Sequence, residues 1–527
     1  MATKQYDNYA DLITFTRASS GTALRRVGYG AELVTNGTFD TDTDWTKVGS
    51  TTISGGQATL SALFDVLEQS ITISNGDIVR ISYEVVSNSN PSGNNLALSS
   101  QGFTNSTTFI DNDVGSHTVD VVVVDATKPL RFVLAIAATV VIDNVSVKEV
   151  IFDRSTDPLV LFNHPTNVPR IEYDADRNRL GLLIEEARTN LLLYSEVVDG
   201  TGWADVGSTS TNLTDDALGV WDGVSIASGG QVFHRLNADD DIAVTTGDVL
   251  TFRVWVKAGT SNRLRVNLRE FDTVTASRVS GEFGSLSATN NSAGPITSVK
   301  EEDWGNGIVA VSGTITVNFT GDLEFSIGPD SAVSGETVIA YAAQVEAGSF
   351  ATSYIGTSGA TATRSADVAS IPTSAFGYNS KVGAGGTVIA DFQSDKWQYG
   401  TAFYRVWEFD GSLNNGLFHA SANPNQFRYR LNDSSGNAVL GASTMGAVTA
   451  TASAGAKIAI SYKPNDFAVY ANGFQFETDN AGVFASELVT QIGLGGGGFG
   501  TSANGHLKSI QYYPRRLTNA QLQRLTA

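Results

Sequence analysis

The sequence predicts an all-β protein made of tandem β-sandwich domains, followed by a short C-terminal helix. Three observations lead to this prediction: short apolar runs recur along the whole chain, glycine and asparagine interrupt them, and several runs alternate between apolar and polar residues. Of 527 residues, 53 are glycine, 41% are hydrophobic and only 17% are charged. This composition excludes a disordered chain. The length suffices for about three or four domains.

Two segments show the period of two that is typical of half-buried strands. In Val79–Val85 and in Leu264–Leu268, apolar residues alternate with polar ones, which predicts one buried and one solvated face. The runs Phe467–Ala471 and Phe474–Thr478 flank the pair Asn472-Gly473. Because asparagine and glycine tolerate the positive φ angles of a type I′ turn, these two runs are predicted to form a hairpin.

The clearest helix signal lies in the last dozen residues. Thr518 is placed to be an N-cap, and Gln521 completes a capping box with it. Leu517 and Leu522 occupy the positions of a hydrophobic staple, and Leu525 follows on the same face. We therefore expect a C-terminal helix that packs on the last sheet.

Charge and cysteine content exclude several classes of function. The net charge is −20 and there is no long basic run, so nucleic-acid binding is not expected. The absence of cysteine excludes disulfides and fits assembly in a reducing cytosol. Residues 1–20 contain no apolar core of signal-peptide length. The longest apolar stretch, Phe132–Ile142, is too short to span a membrane and is expected to form one or two buried strands.

The chain also contains a loose internal repeat. Trp45 and Trp203 each begin a Trp-x-x-Val-Gly-Ser pattern and open a long block of strand signals. The first block closes with the alternating run Val141–Val147, and the second closes with Ile339–Val345. Two copies of one sandwich type are therefore predicted, and a different block follows from about residue 370.

The two ends of the first block resemble jelly-roll carbohydrate-binding modules. Glu32–Asp40 reads ELVTNGTFD and resembles their opening phrase, and Ile142–Val147 reads IDNVSV and resembles their closing strand. Such modules often hold a structural calcium ion between these phrases, and the matching residues here are Asn36, Asp40 and Asp143, with oxygen donors that suit Ca²⁺. Asp42 and Asp44 are alternative donors, and a solvated acidic loop is the alternative interpretation. No second site is expected, because the second block has no matching aspartate.

Further phrases resemble phage virion proteins of the tail-fibre, head-spike and head-decoration kind. These phrases are Phe15–Ser19 (FTRAS), Val168–Asp174 (VPRIEYD), Gly181–Leu192 (GLLIEEARTNLL), Ala343–Ile355 (AQVEAGSFATSYI) and Ala362–Asp367 (ATRSAD). In such proteins the first phrase lies shortly before the second. Here the first carbohydrate-binding-like block separates them, so this block is interpreted as an insertion at a loop.

The third block resembles concanavalin- or laminin-G-type sandwiches in the hairpin Val469–Gly473 and in the strand and helix start Leu507–Thr518. The predicted organisation is therefore an N-terminal segment for virion docking (1–30), an inserted jelly roll (31–150), a linking segment (151–195), a second jelly-roll sandwich (196–369) and a concanavalin/laminin-G-like sandwich (370–527).

No catalytic constellation is recognisable, and the protein is not expected to be an enzyme. The five histidines are isolated, and no zinc-protease, nucleophile-elbow or phosphate-loop motif is present. Glu185 and Glu186 are adjacent, so their side chains diverge and cannot easily flank one glycosidic bond. They are expected to form ion pairs with Arg188 or with a neighbouring subunit. No cofactor beyond the calcium ion of the resemblance is expected.

Sugar recognition needs exposed aromatic faces beside amides and acids. Trp45, Trp203 and Trp255 lie in opening phrases or strand interiors and are expected in cores. For each of the other candidates, a place in a core or between subunits is the alternative. The candidate carbohydrate-binding residues are Phe103, Phe109, Trp221, Trp304, Trp397, Tyr399 and Trp407.

Taken together, the resemblances imply a structural fibre or spike protein on a virion surface, assembled in the bacterial cytoplasm. Its expected partners are host cell-surface polysaccharide, which it would bind to aid attachment, and other virion proteins. A homo-oligomer, a trimer by family analogy, would make weak sugar sites effective through multivalency. Membrane insertion is not expected. Two alternatives remain open: a head decoration protein that binds no glycan, and a polysaccharide depolymerase tailspike, which the lack of a short fixed-period repeat disfavours.

Overall fold

The computed structural model describes residues 12–214, 217–230, 235–239, 241–271, 273, 276–289, 291–394, 403–410, 415–420, 426–441, 446–449, 455–495 and 502–527. This part of the chain is almost entirely antiparallel β-structure, with one short α-helix at the C-terminal end, which confirms the predicted fold class. No helix within it is long and apolar enough to cross a membrane. The chain divides into two compact units: Arg25–Pro165, and Met1–Leu24 together with Thr166–Ala527.

The first group of strands runs to residue 164. These strands are β1 (Thr14–Thr16), β2 (Gly21–Glu32), β3 (Thr46–Val48), β4 (Thr52–Ser54), β5 (Gln57–Leu60), β6 (Val66–Gln69), β7 (Ile78–Asn88), β8 (Leu96–Leu98), β9 (Thr108–Phe109), β10 (Gly115–Val122), β11 (Leu130–Leu134), β12 (Val140–Phe152) and β13 (Leu159–His164).

The unit Arg25–Pro165 is a sandwich of two sheets. One sheet has the order β10-β7-β12-β2-β13, with β5 paired to β12 and β4 paired to β5, and the other has the order β3-β6-β11-β8-β9. The predicted alternation is confirmed, because the apolar residues of Val79–Val85 enter the core while Arg80 and its alternate neighbours do not. The apolar stretch Phe132–Ile142 contributes to two strands, β11 and β12. The unit contains the predicted domain 31–150 and extends beyond both of its ends.

The second group of strands runs from residue 170 to residue 372. These strands are β14 (Arg170–Tyr173), β15 (Arg179–Ile184), β16 (Arg188–Asn190), β17 (Trp203–Val206), β18 (Ser208–Asn212), β19 (Val224–Ser228), β20 (Arg235–Ala238), β21 (Ile242–Val244), β22 (Val249–Ala258), β23 (Arg263–Glu270), β24 (Ser277–Glu282), β25 (Ser287–Thr289), β26 (Ile296–Gly305), β27 (Ile308–Thr316), β28 (Gly321–Pro329), β29 (Thr337–Ala347), β30 (Ala362–Arg364) and β31 (Val368–Pro372).

Most of these strands build a second sandwich. One sheet has the order β18-β19-β29-β22-β27-β26, with β16 paired to β29 and β30, and the other has the order β17-β20-β28-β23-β24-β25, with β21 paired to β28. Its core cluster extends from Leu192 to Val345. Alternating apolar residues of β22, β23, β28 and β29 fill this core, as the predicted strand at Leu264–Leu268 requires.

The last group of elements ends with the helix. These elements are β32 (Gly386–Gln393), β33 (Phe403–Phe409), β34 (Gly416–Ala420), β35 (Gln426–Asn432), β36 (Ala438–Leu440), β37 (Gly446–Thr449), β38 (Ala456–Lys463), β39 (Asp466–Ala471), β40 (Phe474–Asp479), β41 (Gln491–Leu494), β42 (Gly505–Tyr513), the 3₁₀ turns Thr373–Ala375 and Ser486–Leu488, and α1 (Asn519–Thr526).

The third sandwich combines strands from distant parts of the chain. One sheet has the order β1-β31-β41-β33-β34-β35-β36, with β37 paired to β35, and the other has the order β14-β15-β42-β32-β38-β39-β40. The predicted N-terminal and linking segments contribute strands to this sandwich. Thr14–Thr16 pairs with β31, and the phrase Val168–Asp174 supplies strand β14, because backbone pairing with these distant strands satisfies their polar groups.

The local predictions for the third block are confirmed. Asn472 and Gly473 both have positive φ angles and join β39 to β40. Thr518 caps α1, and the reciprocal capping box with Gln521 is present. Leu517 and Leu522 are buried against β38 and β39, so the helix covers the outer face of the sheet.

Candidate functional site

A buried ionic network joins the phrases that resemble virion proteins. Arg17 pairs with Asp367 at 3.1 Å, Arg170 pairs with Glu185 at 3.0 Å and also with Asp367, and Arg364 lies 3.5 Å from Glu185. All five side chains are essentially inaccessible to solvent. The network therefore connects four of the five phrases into one site of the fold and is closed to an external ligand.

Hydrogen bonds complete this network. The Ser353 hydroxyl donates to Glu185 and its backbone N–H donates to the same carboxylate. The backbone N–H of Glu185 donates to Asp367 at 2.9 Å. Burial and the charge of Arg170 lower the pKa of Arg17 to about 10, although Asp367 opposes this shift. The neighbouring Glu186 pairs with Arg188 at 2.6 Å, as expected from the sequence, but Glu185 pairs with Arg170 instead.

Most of the predicted sugar-stacking residues are buried, which corrects that prediction. Phe103 lies in the core of the unit Arg25–Pro165, and Trp407 is buried in the third sandwich. Trp221 and Trp304 are buried against Trp255, on the side of β22 that faces away from the sandwich core. A ring that is enclosed by other side chains cannot present a face to a pyranose.

The remaining aromatic predictions have other outcomes. Phe109 is 51% exposed and stays a predicted sugar contact. Trp397 and Tyr399 lie outside the described residues. Trp45 and Trp203 are buried within their own sandwich cores, as expected.

The geometry does not support calcium at the opening phrase. The amide of Asn36 closes its own loop, since it donates to the Thr41 and Thr43 carbonyls at 2.7 and 2.9 Å. Asp40 accepts from Thr38, and Asp143 accepts from the following backbone N–H. No three Asp, Glu, His or Cys side chains in the described residues are grouped to hold a metal ion. Calcium binding by Asn36, Asp40 and Asp143 thus stays a prediction from resemblance alone.

An open polar surface lies on the sheet of the unit Arg25–Pro165. Val79, Ile81 and Tyr83 of β7 point into the core, so the alternate residues point outwards. Register places Arg80 between Asp120 of β10 and Lys148 of β12, and it places Ser82 between Thr118 and Ser146. We call this surface the Tyr29 face, and it comprises Tyr29, Arg80, Ser82, Thr118, Asp120, Ser146 and Lys148.

At the centre of the Tyr29 face, the Arg80 guanidinium makes a cation–π contact with the Tyr29 ring. The Arg80 guanidinium carbon lies 4.9 Å from the centroid of Tyr29, and Arg80 donates two hydrogen bonds to Asp120, at 2.9 and 2.7 Å. Tyr29 remains 38% exposed. Burial raises the pKa of Tyr29, while hydrogen bonds and charge from Asp120 raise the pKa of Arg80 against the effect of its burial.

The groups on this face are of the kinds that contact hydroxyl-rich molecules. A fixed guanidinium and carboxylate pair offers donors and an acceptor, the row of hydroxyls offers both, and the exposed part of the ring offers an apolar surface. The sequence pattern predicts the polar side of β7 but does not single out Tyr29. Its signal was weak, because Tyr29 lies outside the two phrases that resemble carbohydrate-binding modules.

Comparisons with known proteins give only distant similarity. No family model and no curated protein matches the chain. Among solved structures, it is similar to the N-terminal CBM22-1–CBM22-2 tandem domain from Paenibacillus barcinonensis Xyn10C, at 11% identity and a TM-score of 0.22 over 63% of this chain and 99% of that one. It is also similar to the Trypanosoma rangeli sialidase, at 10% identity and a TM-score of 0.23 over 97% of this chain and 98% of that one. Both TM-scores are low, so neither structure indicates a function for this chain.

Proposed function

We propose that this chain is a non-catalytic glycan-binding protein of a phage-like particle surface, which attaches the particle to polysaccharide on a host cell. One observation carries the binding part of the proposal, namely the Tyr29 face with its exposed ring beside the fixed pair of Arg80 and Asp120. The phrases around Arg17, Arg170 and Asp367 resemble those of virion proteins. This resemblance supports a location on the surface of a phage-like particle. A particle would display many copies, which raises the avidity of weak sites.

Glycan binding is tested with the full-length chain on an array of bacterial surface polysaccharides, followed by calorimetry with each glycan that binds. Tyr29→Ala removes the exposed ring, and we expect affinity to fall several-fold, because ring contacts contribute about 0.5–1.5 kcal/mol. Phe474→Ala is the matched control, since Phe474 is 72% exposed but lies on β40 of the third sandwich. Phe109→Ala tests the remaining aromatic prediction in the same assay.

The outcomes separate the proposal from its alternatives. Binding that is lost in Tyr29→Ala and kept in Phe474→Ala supports glycan recognition at the Tyr29 face. No binding to any glycan, together with stabilisation of capsids on addition of the chain, would favour a head decoration protein. Release of new reducing ends from a bound polysaccharide would show a depolymerase and would contradict a non-catalytic role. Electron microscopy of labelled particles would show whether the chain lies on a head or a tail.

A further inference from the structure

A tight turn of the unit Arg25–Pro165 places two neighbouring apolar side chains in solvent. The backbone N–H of Asp65 donates to the Ala62 carbonyl at 2.9 Å, so Leu63 and Phe64 are the two central residues of the turn. Leu63 is 46% exposed and Phe64 is 69% exposed. In the described part of the chain, neither side chain packs against the core of this unit. Their apolar surface therefore adds little to the stability of the fold.

The backbone of Phe64 is strained, and the surrounding chain holds it in place. Its φ is +68°, a conformation that glycine or asparagine normally supplies at the second central residue of a turn. The Asp65 carboxylate fixes the turn, because it accepts three backbone N–H groups. The donors are Ser50, Ser61 and Ala62, at 2.7, 2.8 and 2.8 Å. Strained residues that their surroundings hold in place cluster at ligand-binding positions, so the exposed ring is a candidate ligand contact.

Two further exposed apolar residues lie beside this turn. Val48 is 43% exposed and ends β3, which pairs with β6 directly after the turn. Ile136 is 42% exposed and follows β11, and the backbone N–H of Phe64 donates to Leu134, the last residue of β11, at 2.9 Å. Because β3, β6 and β11 are neighbouring strands, these exposed side chains share one end of the sheet. We call Val48, Leu63, Phe64 and Ile136 the apolar tip.

The apolar tip lies at the end of the sandwich away from the entry and exit of the chain. Strand β12 begins at Val140, opposite Asn88 at the end of β7, and it ends at Phe152, opposite Val27 near the start of the unit. Ile136 shortly precedes Val140 and therefore belongs to the first of these ends. This end is formed by the segments that connect β5 to β6, β7 to β8 and β11 to β12.

The segments that form this end carry no charged side chain. Residues 48–64, 85–110 and 132–142 contain no Asp, Glu, Lys, Arg or His, although the chain as a whole has a net charge of −20. Their exposed polar groups are hydroxyls and amides, which both donate and accept hydrogen bonds. The exposed polar residues near the turn and in the connection from β7 to β8 are Ser50, Ser61, Ser89, Ser92 and Asn94.

The charged residues that flank these segments do not give the apolar tip a charge. Lys47 precedes Val48 and forms an ion pair with Asp42. Asp65 is buried beneath the turn. Asp111 follows β9, which lies three strands from β6 in the sheet order β3-β6-β11-β8-β9. The apolar tip is therefore an exposed ring and three aliphatic side chains among neutral polar groups.

We propose that the apolar tip is a second carbohydrate site, which binds a neutral polysaccharide through the Phe64 ring. This inference rests on the proposed glycan-binding function and adds a site on another part of the same unit. The apolar C–H face of a neutral pyranose packs on an aromatic ring, and its hydroxyls bond to neighbouring hydroxyls and amides. An acidic polymer finds no cation at the tip, and the net charge of −20 repels it.

The test measures binding of the full-length chain to four soluble probes by calorimetry. Mannan, dextran and laminarin are neutral, whereas polygalacturonate is acidic. We expect at least one neutral probe to bind and polygalacturonate to fail. Phe64→Gly removes the ring, and affinity for the bound probe should fall about two- to tenfold. Thermal unfolding should be kept in this variant, because glycine adopts the positive φ without strain.

Two further variants separate ring recognition from a general effect of substitution. Phe64→Trp keeps an aromatic ring at the tip and should keep the binding. Phe474→Ala is the matched control, because this ring is 72% exposed but lies on β40 of the third sandwich, and its loss should leave the affinity unchanged. Binding that is weakened only in Phe64→Gly supports the inference.

Other results would overturn it. The inference is wrong if all three neutral probes fail, if polygalacturonate binds as tightly as a neutral probe, or if Phe64→Gly and Phe474→Ala bind alike. Phe64-dependent binding to phosphatidylcholine vesicles, or Phe64-dependent self-association in sedimentation, without glycan binding would assign the tip to a lipid surface or to a second copy of the chain.

The same assay distinguishes this inference from the proposed function on which it rests. If Tyr29→Ala loses glycan binding and Phe64→Gly keeps it, the second site is wrong and glycan recognition at the Tyr29 face stands. If Phe64→Gly loses binding and Tyr29→Ala keeps it, the apolar tip is the glycan site and the Tyr29 face is not.

Discussion

At the scale of single residues, the buried ionic network explains why charged side chains occur in phrases that otherwise read as strands. Asp367 accepts hydrogen bonds from Arg17, Arg170 and the backbone of Glu185, and the first of these contacts joins residues 350 positions apart. Charges removed from water are stable only when each has a partner. We infer that the network specifies which distant segments meet, more than it adds net stability.

Replacing Asp367 by asparagine tests this role. Asp367→Asn removes the buried carboxylate that pairs with Arg17 and Arg170, and we expect the free energy of unfolding of the larger unit to fall by about 3–5 kcal/mol. The measurement is the unfolding transition in urea. Asp303→Asn, an exposed aspartate in the same unit, should change it by less than about 0.5 kcal/mol. Similar small effects in both variants would contradict a structural role for the network.

At the scale of elements, strand β33 carries a charged pair in its interior. A register shift between Arg405 and Trp407 changes the alternation of the strand, and it lets Arg405 and Glu408 form an ion pair on one side. Both residues are buried. Burial raises the pKa of Glu408 to about 7, although Arg405 opposes the shift. The folded chain therefore binds a proton at Glu408 at pH values where the unfolded chain has released it.

This shift predicts how stability depends on pH. Because the folded-state pKa lies above the unfolded value of about 4.5, the contribution of Glu408 is fully present below that value and is lost as the pH rises towards 7. We expect the transition temperature of the third sandwich to fall between pH 5 and pH 8. Glu408→Gln mimics the protonated side chain and should flatten this fall in differential scanning calorimetry. An unchanged slope in the variant would show that other groups cause it.

Elements whose signals are local could be predicted from the sequence, and elements that depend on distant pairing could not. The hairpin at Asn472-Gly473 and the capped helix at Thr518 follow from backbone preferences of a few residues. The phrase Val168–Asp174 was interpreted as a linker, because nothing in its own residues shows that β14 and β15 join the strand β42. The burial of Trp221 and Trp304 could not be predicted for the same reason, because only the fold brings these residues into contact with Trp255.

At the scale of the whole molecule, the first two sandwiches have separate cores. The core of the unit Arg25–Pro165 extends from Val34 to Val147, and that of the second sandwich extends from Leu192 to Val345, with no shared residue. The first and last residues of the unit Arg25–Pro165 lie close together. Within this unit, Nη1 of Arg25 lies 3.1 Å from Nε2 of His164. Within the larger unit, the backbone N–H of Asn167 donates to the carbonyl of Arg17. Adjacent ends and separate cores are the conditions under which a domain insertion is tolerated.

We therefore expect the two units to fold separately. A chain in which residues 25–165 are replaced by Gly-Ser-Gly should keep the β-sheet circular dichroism and the unfolding transition of the larger unit, since it retains every member of the buried ionic network. Residues 25–165 expressed alone should keep their own transition and, if the Tyr29 face binds glycan, the full affinity. A matched deletion of residues 170–184 removes strands of the third sandwich and should abolish its transition. Aggregation of the first variant, with an intact isolated 25–165 unit, would show that the larger unit depends on the insertion.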